Sequence, residues 1–182
     1  MTKPFFLTLS AAALSLIAGT QPALAKDSLG VYSNWAVFRD ATVPRCYTIA
    51  KAEEPRRASE QQRDYTPYLT VTTWPQRGIR NQLHIRLSRK LAPSANLRLT
   101  VGSRSFALTG GGGDAWAKDK AMDAAIVAVM RSASTLMIRG TDANGKRFTD
   151  RYQLNDVATA IDAATLACSP RSLQQTDSQA QD

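Results

Sequence analysis

The sequence has few of the residue types that metal sites and nucleophilic catalysis use. Among its 182 residues there are one histidine, His84, and two cysteines, Cys46 and Cys168. The cysteines do not form a Cys-x-x-Cys redox pair, and one histidine cannot supply the clustered imidazoles of many zinc sites. The Gly-x-Ser-x-Gly and His-Glu-x-x-His signatures of hydrolases are also absent from the sequence. We therefore predict no catalytic residues, no metal site and no cofactor.

Long apolar segments are scarce, and the longest lies near the start of the chain. Lys3 precedes an apolar stretch at residues 5–18, which leads to Ala23-Leu24-Ala25, a small-x-small pattern that signal peptidase accepts. Residues 1–25 therefore predict a secretory signal peptide that is cleaved after Ala25. The stretch is shorter than the roughly 20 residues of a membrane span, so we predict no transmembrane anchor. We expect a periplasmic product, with secretion to the medium as an open alternative.

Acidic residues are missing from the centre of the chain. No Asp or Glu lies between Tyr65 and Gly113. The chain has 23 Lys and Arg, or 22 without Lys3, and 15 Asp and Glu. The seven basic residues of this stretch therefore account for the whole net positive charge of the chain after Lys3. If Arg86 and Arg98 share the solvent face of neighbouring strands with His84, that face attracts anions at long range. The predicted partner-binding residues are Arg77, Arg80, Arg86, Arg89, Lys90 and Arg98.

The two cysteines lie near opposite ends of the predicted folded region. In an oxidising compartment they are expected to form a disulfide, Cys46 to Cys168, although two separate buried thiols are the alternative. The length suits one globular domain, which we place at residues 26–168. The polar segment 169–182 predicts a disordered tail.

Runs of β-branched and aromatic residues predict strands along the first two thirds of the chain. In residues 82–89, Leu83, Ile85 and Leu87 alternate with polar residues, which is the period of a half-buried strand. An antiparallel sheet with one face toward water follows from this alternation. The predicted strands in this region are 35–38, 46–50, 68–73, 82–89 and 97–101.

Two glycine-containing segments predict hairpins. The run at 110–113 lacks the Lys-Ser/Thr of a phosphate-binding loop, so we expect it to be a plain loop between residues 105–108 and 115–117. Asn144-Gly145 separates residues 136–139 from 148–154, and this dipeptide favours a type I′ turn.

Two helices are predicted, at roughly 119–132 and 156–167. Asp119 can cap the first helix, in which Met122, Ile126, Val129, Met130 and Ala133 fall at helical spacing on one face. Asn155 or Asp156 can cap the second. The resulting fold class is α+β, mainly antiparallel β, with a sandwich-like sheet and two helices.

Carboxylates offer the remaining route to catalysis, because paired acids can hydrolyse glycosides on many folds. Asp114 and Asp142 are expected in turns, and Asp123 on the exposed helix face. Asp150 is the exception, because strand alternation puts it on the same face as apolar neighbours. We interpret Asp150 as a paired structural carboxylate, with Arg139 across the hairpin as its candidate partner.

A set of short motifs resembles the invasion-associated locus B family of alphaproteobacterial exported proteins. It comprises Trp35 before the Cys46-Tyr47 strand, the helix segment 123–131, Asp150-Arg-Tyr152-Gln-Leu154 and an Ala-rich last helix. The similarity runs over residues 29–168. Many relatives have a Gly-Phe pair before the last helix, where this chain has Asn155-Asp156. The resemblance implies a periplasmic or secreted, non-enzymatic factor that is linked to host-cell invasion or envelope function, and it supplies no catalytic residues.

We therefore hypothesise a non-enzymatic envelope interaction protein whose basic sheet face binds an anionic or acidic partner. In the periplasm the candidates are an envelope protein, lipopolysaccharide, anionic lipid or an acidic polymer, whereas no nucleic-acid recognition motif is present. The alternatives are a periplasmic hydrolase that uses carboxylates or a dispersed triad, and a chaperone-like role without a defined site. A plain role for the arginines, keeping strand edges from pairing with other chains, is also open. The oligomeric state is not predicted.

Overall fold

A computed structural model of the chain describes residues 26–56, 62–93 and 95–169. The predicted signal peptide and all but the first residue of the predicted tail lie outside the described residues.

Ten strands, two α-helices and one short 3-10 helix make up the described structure. The strands are β1 Asp27–Tyr32, β2 Trp35–Asp40, β3 Arg45–Lys51, β4 Tyr68–Trp74, β5 Ile79–Arg86, β6 Leu97–Val101, β7 Arg104–Gly111, β8 Asp114–Trp116, β9 Thr135–Thr141 and β10 Arg147–Gln153. The helices are the 3-10 turn Pro75–Arg77, α1 Lys120–Met130 and α2 Val157–Ala167. The α+β, mainly antiparallel β prediction is therefore confirmed, as are both predicted helices. Strand β1 was not predicted, because Gly30 interrupts its apolar pattern.

All ten strands join in one antiparallel sheet with the order β1-β2-β3-β4-β5-β8-β7-β6-β9-β10. The first five strands follow chain order. The hairpin of β7 and β8 then turns back, so that β5 pairs with the three-residue strand β8 and not with β6. Strands β5 and β6 are consequently separated by two other strands.

One face of the sheet packs on the helices and forms the core. In β5 the inward residues Leu83 and Ile85 are fully buried, as the period-2 pattern predicts. Helix α2 packs on the N-terminal strands β1 to β3, and α1 packs on β5 to β7. The opposite face, which we call the outer face, carries the residues that alternate with this core.

The sheet curls, so that its last strand, β10, approaches its second strand, β2. The indole Nε1–H of Trp35 donates a hydrogen bond to the carbonyl of Gln153 at 3.0 Å, and Trp35 is fully buried. Just beyond β3, the amide of Glu53 donates to the carbonyl of Arg151 at 2.8 Å. These bonds cover part of the β10 edge, which would otherwise offer unpaired backbone groups to another chain.

The predicted disulfide is confirmed. Cys46 on β3 is joined to Cys168, which directly follows α2, with a Cα–Cα distance of 5.7 Å. Both residues are buried. The bond ties the C-terminal helix to the N-terminal half of the sheet across a sequence separation of 122 residues.

Helix α1 begins as predicted, but one of its acidic residues does not lie where we expected. Asp119 accepts a hydrogen bond from the amide of Met122 at 2.8 Å, which is an N-cap. Asp123 is buried, whereas the sequence placed it on the exposed helix face. Its carboxylate accepts the Leu83 amide at 2.9 Å. Burial raises the pKa of Asp123 above its ordinary value, the bond from Leu83 opposes this, and the nearby Asp119 charge adds to it.

The hairpin of β9 and β10 forms as predicted, but its turn is of a different type. A type I′ turn needs positive φ at both central residues, and here Gly145 has φ 79° whereas Asn144 is not in that region. Asp142 organises a longer turn, because its side chain accepts the amides of Asn144 and Lys146 at 2.9 and 2.8 Å. Asp142 therefore lies in a turn, as expected, and is buried there.

Candidate functional site

Cross-strand register places the predicted partner-binding residues at several separate places. Arg77 is exposed in the 3-10 turn between β4 and β5, Arg80 is exposed near the start of β5, and Lys90 is exposed beyond the end of β5. Arg98 is exposed on β6. Since β8 and β7 lie between β5 and β6, the expectation that Arg86 and Arg98 occupy neighbouring strands is wrong. The arginine-rich stretch of the sequence does not form one continuous basic face.

Arg89 is not available to a partner. It is only 6% exposed, and its guanidinium lies 3.7 Å from the buried carboxylate of Asp142. Its inclusion among the partner-binding residues is wrong, because the chain leaves β5 before Arg89 and turns this side chain into the protein. A buried guanidinium group is tolerated when a carboxylate of opposite charge pairs with it.

Arg86 faces outward but is already paired. Its guanidinium lies 2.5 Å from one carboxylate oxygen of Asp114, the residue opposite it on β8. The second oxygen of Asp114 is 3.0 Å from Nε2 of His84. Arg86 also stacks over the ring of Tyr65 at 3.8 Å. Asp114 thus begins a strand and holds two basic side chains, whereas the sequence suggested only a turn residue.

Aromatic rings surround this carboxylate-centred group. His84 lies opposite Trp116 on β8, with ring centroids 5.4 Å apart, and its ring forms a T-shaped pair with that of Tyr68 at 5.9 Å. Trp116 is 39% exposed, which is unusual for so large an apolar side chain among the described residues. We call Tyr68, His84, Arg86, Asp114 and Trp116 the β5–β8 cluster.

A second aromatic group lies at the other end of β4. Trp74 is flanked by the guanidinium groups of Arg77 at 4.8 Å and Arg45 at 5.3 Å, and Arg45 also covers Tyr47 at 4.8 Å. The Trp74 indole donates to the side-chain oxygen of Gln82 at 3.0 Å. Arg77, a predicted partner-binding residue, therefore contributes to a cation–π stack that stabilises this corner.

Two uncompensated positive charges lie together on the other half of the outer face. Arg98 on β6 is directly opposite Arg139 on β9, and both are exposed. Like charges in this arrangement destabilise a sheet. Within the described part of the chain neither guanidinium forms an ion pair, and the outward positions of β6, β9 and β10 include no acid. We call these two residues the Arg98–Arg139 pair. Sequence reasoning missed it because 41 residues separate its members and Arg139 was assigned to Asp150.

Asp150 faces the core, as predicted, but Arg139 is not its partner. The residue opposite Asp150 is Ile138, and strand alternation directs Arg139 to the other face. The Asp150 carboxylate accepts the amide of Ser88 at 2.9 Å. Burial raises the pKa of Asp150 above its ordinary value, while the bonds from Ser88 and then the charges of Arg63 and Arg89 oppose this.

The cavity beside Asp150 is too small for a substrate. Its volume is about 10 Å³, which is room for about one water molecule. Its lining includes Glu53, Glu54, Arg63 and Arg89. The geometry that would favour a hydrolase, a substrate cleft beside Asp150, is therefore not found there.

We predict that Asp150→Asn flattens the dependence of stability on pH. A carboxyl with a raised folded-state pKa binds more protons in the folded than in the unfolded state, so its contribution to stability falls as pH rises from about 4, the ordinary aspartate pKa, through the raised value. The asparagine oxygen can still accept the Ser88 amide. Urea unfolding of both proteins between acidic and neutral pH measures the difference. A constant difference between the two curves would contradict the assignment.

The β5–β8 cluster does not complete a nucleophilic triad. His84 pairs with Asp114, but within residues 26–56, 62–93 and 95–169 no hydroxyl or thiol is bonded to the imidazole. The same residues contain no group of three or more His, Cys, Asp or Glu side chains that could hold a metal ion.

An open groove of about 490 Å³ lies where β2 and β3 meet the end of β10. Pockets that bind small molecules in proteins commonly have volumes in this range. The strand residues Ala36, Ile49 and Lys51 form its floor, and Asn34, Ala52, Glu53 and Gln153 form the remainder of the lining. Lys51 is directly opposite Tyr68, a member of the β5–β8 cluster.

No protein-family model, curated protein or solved structure matches the chain. Of the helices in the described residues, none has the length and apolar character to cross a membrane.

Proposed function

We propose that the protein is a non-enzymatic periplasmic or secreted component of the cell envelope that binds an anionic partner at the Arg98–Arg139 pair. The observation that carries this proposal is the direct opposition of two exposed, uncompensated arginines on neighbouring strands. Such an arrangement costs stability in the free protein, and a phosphate or carboxylate between the two guanidinium groups removes that cost.

Several features of the chain support this assignment. The sequence resembles the invasion-associated locus B family and begins with a predicted signal peptide. The disulfide is compatible with an oxidising compartment. Phosphate groups of lipopolysaccharide and anionic lipid headgroups are the abundant anions of the envelope, and a planar guanidinium binds both bidentately. Arg77, Arg80 and Lys90 add to the long-range attraction of such a partner.

We predict that Arg98→Glu with Arg139→Glu weakens binding to purified lipopolysaccharide or to vesicles that contain an anionic lipid more than tenfold. Binding of the unaltered protein should fall steeply as salt is raised, because exposed charges are screened beyond about 8 Å at physiological ionic strength. Vesicle sedimentation and surface plasmon resonance both measure the effect. Lys118→Glu with Lys120→Glu is the matched control, since it makes the same charge change at exposed positions near α1.

The single variant Arg98→Glu separates partner binding from a role in solubility. It places a carboxylate opposite Arg139 and should raise the free energy of unfolding by about 0.5 kcal/mol, while it lowers binding. Equal binding by the pair variant and the lysine control, or binding that is unchanged in high salt, would rule out this site.

A further inference from the structure

Side chains from five strands form one row across the outer face. Successive registers place Ala36 on β2 opposite Ile49, Ile49 opposite Thr70, Thr70 opposite His84, and His84 opposite Trp116. Four strand spacings of about 4.8 Å make this row about 19 Å long. The row begins at the open groove and ends at the exposed indole of Trp116. Thr70, in the middle of the row, is only 9% exposed, so an extended ligand that lies across the strands contacts mainly the residues toward the two ends.

Aromatic rings and planar hydrogen-bonding groups lie together at the Trp116 end of the row and in the row beside it, to which Tyr68 belongs. Trp116, His84 and Tyr68 supply the rings, which lie 5.4 and 5.9 Å apart. Asp114 and Arg86 hold each other at 2.5 Å in a parallel row immediately alongside. A pyranose ring whose hydroxyls are equatorial has C–H groups on its faces and hydroxyls around its edge. Its faces pack against aromatic rings, and its edge hydroxyls reach carboxylate, guanidinium and amide groups.

The charge of this region differs from that of the Arg98–Arg139 pair. Arg86 is compensated by Asp114, Glu53 in the groove forms an ion pair with Arg56 at 3.0 Å, and Lys51 is an exposed cation of the groove lining. A phosphate at Arg86 would have to displace Asp114 and would be repelled by it. A neutral ligand can instead accept from the guanidinium and donate to the carboxylate without breaking the pair.

We propose that this face is a second binding site, which takes an extended, neutral polysaccharide chain of β-1,4-linked hexoses. The chain runs from the groove floored by Ala36 and Ile49 to Trp116. A β-1,4 linkage between equatorial positions produces an extended, flat ribbon that can follow a row of this length across the strands, whereas an α-1,4 linkage produces a coiled chain. The site is independent of the anionic partner, because β6 and β9 do not contribute to it.

The test is titration of the ¹⁵N-labelled mature protein with chitotetraose and cellotetraose. The three tryptophans report separately, since Trp35 is buried, Trp74 is bonded to Gln82 and Trp116 is exposed. We expect a saturable shift of the Trp116 indole signal with at least one of these sugars, no shift of Trp35, and binding of maltotetraose at least tenfold weaker. No Trp116 shift with either β-1,4 sugar, or equal binding of maltotetraose, overturns the proposal.

Variants locate the sugar on the row. Trp116→Ala and Tyr68→Ala should each weaken binding at least tenfold, and Trp116→Phe should retain part of it because a ring remains. Leu166→Ala is the control, because Leu166 is 68% exposed on α2 and away from the outer face. Arg98→Glu with Arg139→Glu should leave sugar binding unchanged even where it abolishes anion binding. If the arginine pair variant loses the sugar, or if polyglutamate and not the sugar shifts Trp116, the proposal fails.

Discussion

Replacing both cysteines, Cys46→Ala with Cys168→Ala, is expected to lower the free energy of unfolding by about 5 kcal/mol. The bond closes a sequence separation of 122 residues, so its absence returns a large conformational entropy to the unfolded chain. Domains of this size are stable by only about 5 to 15 kcal/mol, so the variant should be close to the limit of folding. Guanidinium unfolding followed by far-UV circular dichroism measures the loss.

The reduced form of the unaltered protein is the control for that experiment. Like the double variant, the reduced protein has no cross-link. At positions 46 and 168 it differs from that variant only by the two sulfur atoms. Its unfolding free energy should therefore lie close to that of the double variant. A double variant as stable as the oxidised protein would mean that the bond contributes little beyond the packing of α2 on β1 to β3.

Trp35→Ala is expected to destabilise the protein by about 4 kcal/mol, which is the usual cost of removing a large buried aromatic side chain. Trp35 is fully buried and links the start of β2 to the end of β10 through its bond to the Gln153 carbonyl. The substitution therefore leaves a cavity and also opens the contact by which the sheet curls on itself. Urea unfolding gives the energy, and proteolysis near Glu53 would report the loosened segment.

Trp35→Phe separates the two contributions. Phenylalanine keeps most of the buried ring but cannot donate to Gln153, so a loss of about 1 to 2 kcal/mol is expected for the unpaired carbonyl and the small change of volume. If Trp35→Phe costs as much as Trp35→Ala, the hydrogen bond and not the packing holds this part of the sheet.

Local patterns in the sequence predicted most of the elements. The alternation around Leu83 and Ile85 identified β5, and Asp119 marked the start of α1, because both signals depend on neighbours within a few residues. The disulfide followed from there being two cysteines in a chain with a predicted export signal. The turn at Gly145 shows the limit of such patterns, since Asn-Gly favours type I′ but the side chain of Asp142 accepts two amides and selects a longer turn.

The candidate sites depend on pairings that the sequence does not encode locally. Charge counting identified Arg98 but could not show that β9 would bring Arg139 opposite it. It also treated Arg86 as free, because Asp114 is 28 residues away and reaches it only when β8 inserts beside β5. Asp123 was misplaced for a related reason, since helical periodicity alone does not reveal that the amide of Leu83 needs an acceptor there.

The strand order also has a consequence for the order of events in folding. Strands β1 to β5 and strands β6 to β10 are each contiguous in the chain, and within the sheet the two sets meet through three residue pairs between β5 and β8. Pairings between neighbours in sequence lose little entropy on loop closure and form early. The seam of His84, Arg86, Asp114 and Trp116 should therefore close after both halves have formed their own hairpins. The surface that we assign to the polysaccharide would then exist only in the completed fold, and no early intermediate could bind it.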